Sequence, residues 1–317
     1  MAEFDLIARI RGRADARADV ILGIGDDAAL LQNAPGTQLV VATDTLNAGV
    51  HFPDGTDPFD IGWKALAVNL SDLAAMAAVP AWCTLGLSLP AAADGDADGI
   101  IDGLLALARG HGIALVGGDT TCGPLSLCVT AIGQVAAGVA LRRDGARAGD
   151  DVWVSGTLGD AAAALAHWQR GEPMAGELRV RLDRPTPRVA LGRALAGIAT
   201  ACIDVSDGLL ADLGHVCDAS GVAAVIDVDA LPASNALREA VPDAGARRAL
   251  QAAGGDDYEL CFTAPPGARG AVLAIEAQQA LPLTRIGSME AGRGGVRATT
   301  ADGVEWMPPR RGYEHFR

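Results

Sequence analysis

Carboxylates recur along this chain where short apolar runs end, and most of them stand beside glycine. The pattern occurs five times, at residues 23–27, 43–45, 117–121, 204–208 and 254–259. Glycine lets backbone N–H groups approach a phosphate closely, but a carboxylate at the same place repels phosphate unless a divalent cation lies between them. Mg²⁺ prefers hard oxygen ligands and commonly bridges one or two carboxylates to substrate phosphates. The pattern therefore predicts a phosphate site that uses several Mg²⁺ ions.

A further carboxylate, Asp72, lies in the most regular helical pattern of the first half, residues 57–78. Its neighbours in sequence include Leu70, Leu73 and Met76. Burying a carboxylate among such side chains is unfavourable unless its charge is paired. We therefore predict that Asp72 is a metal ligand.

The sequence shows no evident Ser-His-Asp or Cys-His set for nucleophilic catalysis. Its six cysteines form no C-x-x-C pair and match no zinc spacing, which favours buried, reduced thiols in a cytoplasmic protein. A phosphate that accepts a phosphoryl group is already an anionic nucleophile at neutral pH. Such a reaction needs positioning and charge neutralisation, so we predict no general base.

Two common nucleotide motifs are not supported. Residues 23–28 fit a loose G-x-G-x-x-A fingerprint, but two acids occupy the place of the pyrophosphate, and strand-like sequence follows instead of a helix. A Walker A loop requires a lysine after its second glycine, and the only lysine, Lys64, lies in the predicted helix. Any ATP site is therefore expected to be of another type.

The composition indicates a globular protein of two domains. The chain has 317 residues, and half of them are hydrophobic. The formal net charge of −14 disfavours binding to nucleic acids, which normally needs a basic face, and binding to anionic membranes. The N-terminal residues lack the apolar segment of a signal peptide, and no apolar run approaches the ~20 residues of a membrane helix. We expect a cytoplasmic protein.

Helical and strand-like patterns alternate along the chain, which predicts an α/β (α+β) architecture. Predicted strands cover residues 39–42, 82–89, 113–116, 125–135, 152–155, 201–205, 222–228 and 259–263. Predicted helices cover residues 4–10, 57–78, 98–111, 159–167, 207–220 and 267–279. A polar stretch at 142–150 interrupts the pattern. We place the domain boundary there, with an N-terminal domain at 1–140 and a C-terminal domain at 150–317.

Taken together, these motifs resemble the thiamine-monophosphate kinase family. The similar segments run essentially end to end, at residues 23–31, 43–46, 49–52, 64–76, 117–121, 204–209, 258–262 and 312–316. The family belongs to a superfamily of ATP-dependent enzymes that includes aminoimidazole ribonucleotide synthetase, selenophosphate synthetase and a hydrogenase maturation protein.

The resemblance implies a two-domain aminoimidazole ribonucleotide synthetase-like fold. The N-terminal domain would bind ATP and Mg²⁺ and pair its strands across a homodimer. The α/β C-terminal domain would complete the nucleotide and substrate site. The implied reaction is in-line phosphoryl transfer from ATP to thiamine monophosphate, which gives thiamine diphosphate in the final step of its biosynthesis.

The resemblance also implies roles for individual residues. Several Mg²⁺ ions would be held by Asp27, Thr43, Asp44, Asp72, Asp119, Asp204 and Asp207. The nucleotide would contact Gly118, Asp119, Arg143 and Ser206, and the thiamine moiety would contact His51, Asp256 and Tyr313. Three of these residues have plain structural alternatives: a surface loop for His51, a cap on the domain linker for Arg143, and C-terminal packing for Tyr313.

Two positions depart from the family pattern. Ala42 lacks the hydroxyl that some members carry before Thr-Asp, and Asp256 stands where many have glutamate, so its reach to the substrate is shorter or water-mediated. Two alternatives to the kinase remain open. One is another ATP-dependent enzyme of the superfamily, of the aminoimidazole ribonucleotide synthetase type, and the other is a non-catalytic sensor of Mg-ATP.

Overall fold

The computed structural model describes residues 3–90, 94–172, 176–292, 294–308 and 312–313. The chain divides into two compact units, Met1–Leu73 with Ala78–Gly138, and Ala74–Ala77 with Val139–Arg317. The division lies close to the polar stretch at 142–150 where we placed the domain boundary. Residues 314–316, which belong to the last of the family-like motifs, lie outside the described residues.

The N-terminal unit combines helices with a mixed sheet. In chain order its elements are α1 (Glu3–Arg13), β1 (Val20–Leu22), β2 (Leu30–Leu31), β3 (Thr37–Asn47), α2 (Pro58–Ala75), β4 (Val79–Leu89), α3 (Asp94–His111), β5 (Ala114–Cys122) and β6 (Ser126–Ala136). The main sheet has the strand order β3-β6-β4-β5, in which β4 and β5 are parallel and the other pairs are antiparallel. β1 and β2 form a separate antiparallel pair.

Two predicted loop carboxylates lie inside strands. We predicted that Asp44 and Asp119 follow strands, and this is wrong: β3 and β5 continue past them. Threonines flank Asp44 on both sides and follow Asp119, and their β-branched side chains favour extended backbone. β6 also pairs with β3 along its whole length, so the ladder of hydrogen bonds does not end at the carboxylate.

α2 and α3 approach each other closely because each has glycine at the contact. A Cβ added at Gly62 would lie 1.8 Å from the carbonyl oxygen of Ile100, and one added at Gly103 would lie 1.8 Å from that of Phe59. Backbone therefore packs directly on backbone at this crossing. The contact fixes the helix that carries Asp72.

The C-terminal unit is built on a second mixed sheet. In chain order its elements are β7 (Asp151–Ser155), α4 (Asp160–Gln169), α5 (Gly176–Asp183), α6 (Val189–Leu195), β8 (Ala201–Asp204), α7 (Leu209–Ser220), β9 (Ala223–Asp227), α8 (Asn235–Ala240), α9 (Ala244–Ala253), β10 (Leu260–Ala264), α10 (Arg269–Gln279), β11 (Leu283–Glu290), β12 (Gly295–Thr299) and β13 (Glu305–Trp306). The strand order is β13-β12-β9-β11-β7-β10-β8. Buried residues of β7, β8 and β9 pack with Leu209, Leu213 and Val216 of α7 in one core.

The predicted helices and strands are present with shifted ends, and several short elements were not predicted. The elements absent from the predicted set are β1, β2, α5, α6, α8, α9, β11, β12 and β13. α6 and α8 are only 7 and 6 residues long, too short for a helical period to be recognised. Within the described residues, no helix combines the length and the apolar character needed to cross a bilayer.

All six cysteines are free thiols. Four of them are buried, as predicted, but Cys122 is exposed and Cys128 is half-buried, which corrects the prediction for these two. Cys122 is the last residue of β5, at the edge of the main sheet, where fewer neighbours cover a side chain.

We expect Gly103→Ala to destabilise the N-terminal unit by about 2 kcal/mol or more, because the added methyl group meets backbone atoms that cannot rotate away. Gly110→Ala is the matched control in the same helix. A Cβ there meets no atom of the described residues within 4 Å, so helix propensity should make the change neutral or favourable. Urea unfolding followed by circular dichroism measures both. Equal free energies of unfolding for the two variants would contradict the close helix contact.

Candidate functional site

A cavity of about 1210 Å³ lies in the N-terminal unit, between α1, residues 23–29 and the strands β4 and β5. It brings together three predicted site residues, Asp27, Gly118 and Asp119, and Asp26 lies beside them. All three carboxylates are exposed. Ligand pockets commonly measure about 300–1,000 Å³, so this cavity can hold a nucleotide-sized ligand.

Close backbone packing gives the cavity its shape. Gly118 has a φ of +151°, and a Cβ added there would lie 1.9 Å from the carbonyl oxygen of Leu85. Only glycine fits this position, and its exposed backbone is open to a ligand. Gly25 has a φ of +117°, and an added Cβ would lie 2.5 Å from Nη1 of Arg11. The Arg11 side chain therefore lies over the acidic loop.

Thr43 and Asp44 present their side chains to opposite faces of the main sheet. Asp44 is in register with the buried Val129, whereas Thr43 is in register with Thr130 on the more exposed face. The two threonine hydroxyls are hydrogen-bonded to each other. The hydroxyl of Thr43 is thus directed away from the carboxylate of Asp44.

Asp72 lies on the helix that covers the same sheet face as Asp44. Cδ1 of Leu73 in α2 lies 3.3 Å from the position of a Cβ added at Gly133 of β6. Gly133 is four residues from Val129, so both belong to the face of Asp44. The structure therefore brings Asp44 and Asp72 to one side of the sheet.

His51 lies in the turn that follows β3. The backbone N–H of Asn47 donates to its Nδ1 at 3.0 Å, so the ring proton of the neutral imidazole is on Nε2. Nζ of the buried Lys64 donates to the carbonyl oxygen of His51, also at 3.0 Å. These bonds hold the loop and fix the orientation of the half-buried ring.

Three loops of the C-terminal unit meet through backbone hydrogen bonds. The N–H of Asp256 donates to the carbonyl oxygen of Ser206 at 2.8 Å, and the N–H of Tyr313 donates to that of Asp207 at 3.0 Å. Asp204 ends β8 directly before this point. The structure thus brings together Asp204, Ser206, Asp207, Asp256 and Tyr313.

Asp212 supports the loop that carries Ser206 and Asp207, and it was not among the predicted residues. Its Oδ2 accepts hydrogen bonds from the backbone N–H groups of Ser206, Asp207 and Gly208 at 3.0, 3.1 and 3.1 Å. The pKa of this carboxyl is raised to about 8, first by burial and then by the charges of Asp204 and Asp207, against the lowering effect of the backbone hydrogen bonds. A carboxylate among leucines of a helix was the available signal, the same one that identified Asp72.

Arg143 lies in the segment that precedes β7. It is exposed in a short 3-10 turn, Arg143–Gly145, and its carbonyl oxygen accepts a hydrogen bond from Oγ of Ser220 at 2.8 Å. Among the described residues, no ion pair or hydrogen bond joins its guanidinium to a predicted site residue.

Over the part of the chain that the structure describes, no three Asp, Glu, His or Cys side chains lie close enough to hold a metal ion by themselves. Carboxylate oxygens, which are hard ligands, nevertheless occur at six of the seven predicted metal positions, and those of Asp27 and Asp119 line one cavity. This donor set suits Mg²⁺, which usually keeps several waters and takes only one or two carboxylates with substrate phosphates.

Comparison with known proteins gives matches over both units. The family model for AIR synthase related protein, N-terminal domain, matches residues 25–135, and that for the C-terminal domain matches residues 147–299. The thiamine-monophosphate kinase of Salmonella typhimurium is 48% identical over 320 residues, which cover 99% of this chain and 98% of that protein.

Solved structures match equally well. The crystal structure of thiamine-monophosphate kinase from Stenotrophomonas maltophilia K279a is 57% identical with a TM-score of 0.88, and the match covers 96% of this chain and 98% of that one. A structure of AaThiL complexed with AMPPCP and TMP is 32% identical with a TM-score of 0.79, over 90% and 89% of the two chains. These matches confirm the two-domain fold predicted from the sequence.

Asp212→Ala is expected to destabilise the C-terminal unit by about 3 kcal/mol, because three buried or half-buried backbone N–H groups lose their acceptor. Asp212→Asn retains an acceptor oxygen and serves as the control. Chemical denaturation in EDTA provides the free energies of unfolding. If alanine and asparagine were tolerated equally, Asp212 would not be supporting the loop.

The raised pKa of Asp212 also predicts a pH dependence. Because the pKa is about 8 in the folded protein and ordinarily 3.8, the native state holds the proton more tightly than the unfolded chain. This stabilisation is present below pH 3.8 and is lost as the pH rises through about 8. The stability of Asp212→Asn relative to the unchanged chain should therefore increase over this range, and a constant difference would argue against the shift.

Proposed function

The chain belongs to the AIR synthase related family, among its thiamine-monophosphate kinases, and we propose that it transfers the γ-phosphoryl group of ATP directly to thiamine monophosphate, giving thiamine diphosphate and ADP. Relatives that cover nearly the whole chain carry this activity in their names. The complex of AaThiL with AMPPCP, an ATP analogue, and TMP supports ATP and thiamine monophosphate as the two substrates. The observation that carries the proposal is the cavity lined by Asp27, Gly118 and Asp119.

Several Mg²⁺ ions would be held by carboxylates of both units: Asp27, Asp44, Asp72, Asp119, Asp204 and Asp207. Thr43 would contribute its backbone carbonyl oxygen, because its hydroxyl is bonded to Thr130. When bound, Mg²⁺ would neutralise charge on the phosphate oxygens, which otherwise repel one another and the acidic protein.

The residues of the chain would position two anions for in-line transfer. The exposed backbone of Gly118 lets a phosphate approach the strand, and Arg143 and Ser206 would face the nucleotide. The thiamine moiety would contact Asp256, Tyr313 and the Nε2–H group of His51. The phosphate of the acceptor is ionised at neutral pH, so the reaction requires orientation more than proton removal, and no general base is proposed.

We also propose that the chain acts as a homodimer through its N-terminal unit. β3 forms one edge of the main sheet and exposes Leu39 by 51% and Val41 by 62%. A long edge strand with apolar side chains offers backbone groups and apolar surface for pairing with a second copy.

The two domains proposed from the sequence would then have different roles in binding. Residues 1–140 would bind ATP and Mg²⁺ and form the dimer, and residues 150–317 would contribute the remaining nucleotide and substrate contacts. Six free thiols and the use of ATP support a cytoplasmic location.

Asp119→Asn is expected to lower kcat by about 100-fold or more, because it removes a charged metal ligand while keeping the side-chain volume. The assay supplies ATP, Mg²⁺ and thiamine monophosphate and separates thiamine diphosphate and ADP by chromatography, and EDTA should abolish turnover. Asp96→Asn is the control, since Asp96 is an exposed carboxylate on α3. An Asp119→Asn rate equal to that of the control would remove Asp119 from the site, and no thiamine diphosphate from the unchanged chain would refute the proposed reaction.

Val41→Lys is expected to convert a dimer to a monomer, because a charged side chain on an edge strand opposes pairing. Light scattering coupled to size-exclusion chromatography measures the mass directly. Leu273→Lys, at a residue of α10 that is 51% exposed, introduces the same charge in the other unit and should leave the dimer intact. A monomeric unchanged chain would rule out the proposed pairing.

A further inference from the structure

Asp256 and Tyr258 adopt uncommon backbone conformations in the loop before β10. Their φ angles are +66° and +49°. Left-handed conformations are unfavourable for residues with side chains, most of all for bulky ones, and persist only where the surroundings impose them. Such strained positions concentrate at functional sites, so the loop is a candidate for a role in ligand binding.

The strained backbone brings two side chains together. The hydroxyl of Tyr258 donates a hydrogen bond to Oδ1 of Asp256 at 3.0 Å. The tyrosine is 9% exposed, so its ring is held by packing, whereas Asp256 is half-buried. A carboxylate has two oxygens with about four lone-pair positions, so it can accept several hydrogen bonds at once.

Backbone contacts hold the loop against the segment that ends at Ser206. The N–H of Tyr258 donates to the carbonyl oxygen of Val205 at 2.8 Å, beside the bond from Asp256 to Ser206. A Cβ added at Gly255 would lie 2.3 Å from the carbonyl oxygen of Ser206. The two segments are thus in direct backbone contact, and the loop cannot shift without breaking it.

A buried ion cluster holds the other end of the loop. Glu259 is fully buried and accepts hydrogen bonds from Oγ of Ser155, Nη2 of Arg181 and Nε of Arg188 at 2.5, 2.8 and 2.7 Å. Removing a carboxylate from such a cluster leaves buried cations unpaired, which is strongly unfavourable. The residue next to Tyr258 is therefore fixed, and with it the position of the tyrosine hydroxyl.

We propose that Tyr258 is a positioning residue for the substrate, which acts by orienting the carboxylate of Asp256. The inference rests on the proposed function, in which Asp256 contacts the thiamine moiety. That moiety carries a positive charge on its thiazolium ring, which a carboxylate held in one orientation attracts more effectively than a mobile one. The hydroxyl of Tyr258 is thus a determinant of affinity for thiamine monophosphate and has no part in nucleotide binding.

The experiment compares the unchanged chain with Tyr258→Phe, which deletes the hydroxyl and keeps the packed ring. Isothermal titration calorimetry measures the Kd of thiamine monophosphate in Mg²⁺ and AMPPCP, and separately the Kd of AMPPCP. We expect the Kd of thiamine monophosphate to rise about tenfold, as for the loss of a hydrogen bond to a charged group, and the Kd of AMPPCP to stay within about twofold. The KM values of the two substrates should change in the same way.

Two further variants separate positioning from a structural effect. Thr300→Val is the control. It removes a hydroxyl that donates a hydrogen bond to the carboxylate of Asp302, two residues along the chain, in the turn between β12 and β13. This change should leave both Kd values unchanged. Asp256→Gly removes the carboxylate and tolerates the positive φ. In that background Tyr258→Phe should have no further effect, because Tyr258 acts through Asp256.

Each contrary result overturns the inference in a recognisable way. An unchanged Kd of thiamine monophosphate in Tyr258→Phe, or no binding of it to the unchanged chain, removes the role of Tyr258. Equal weakening of thiamine monophosphate and AMPPCP, or a full additional loss in the Asp256→Gly background, assigns the hydroxyl to general stability of the loop. Binding of thiamine monophosphate without its phosphorylation would refute the proposed kinase reaction alone, and the Kd values would still decide the role of Tyr258.

Discussion

A carboxyl group that is buried away from water must be paired with hydrogen-bond donors or cations, and this requirement organises the C-terminal unit. Glu259 is met by two arginines and a serine, Asp212 by three backbone N–H groups, and Asp151 by Arg269 and Arg285 at 2.6 and 3.1 Å. The contacts of Glu259 and Asp151 join segments that are distant in sequence, whereas those of Asp212 hold the turn before α7. Asp212 holds the loop that carries Ser206 and Asp207, and Glu259 anchors the end of the loop that carries Asp256.

The N-terminal unit uses its carboxylates differently. Asp26, Asp27 and Asp119 are exposed on the wall of a cavity, where they keep their hydration and can exchange it for a cation. The rigid parts lie beneath them: α2 and α3 pack backbone on backbone at Gly62 and Gly103, and Gly118 packs on β4. Buried charges therefore provide the framework in one unit, whereas exposed charges on a glycine-rich framework provide the candidate binding surface in the other.

Sequence reasoning succeeded where the signal was local. The apolar period of α2, the glycine–carboxylate motifs and the order of those motifs could all be read without coordinates, and the family followed from them. It failed at Asp44 and Asp119, because the end of a strand depends on whether a partner strand continues, and β6 does continue beside β3. It also missed Asp212 and Tyr258, whose contacts reach the backbone of Ser206 and the side chain of Asp256.

The sequence by itself determined the chemistry that is available. It shows which carboxylates stand beside glycine, that acidic residues outnumber lysine and arginine, and which family carries the same motifs. Only the tertiary structure decided which of these groups meet. It placed Asp27 with Asp119, turned Thr43 away from Asp44, and joined Asp256 to Tyr258. The reason is physical: motif chemistry resides in a few neighbouring residues, whereas strand register and the backbone conformation that brings such groups together are set by contacts with segments far along the chain, as Ser206 and Val205 hold the loop of Asp256 and Tyr258.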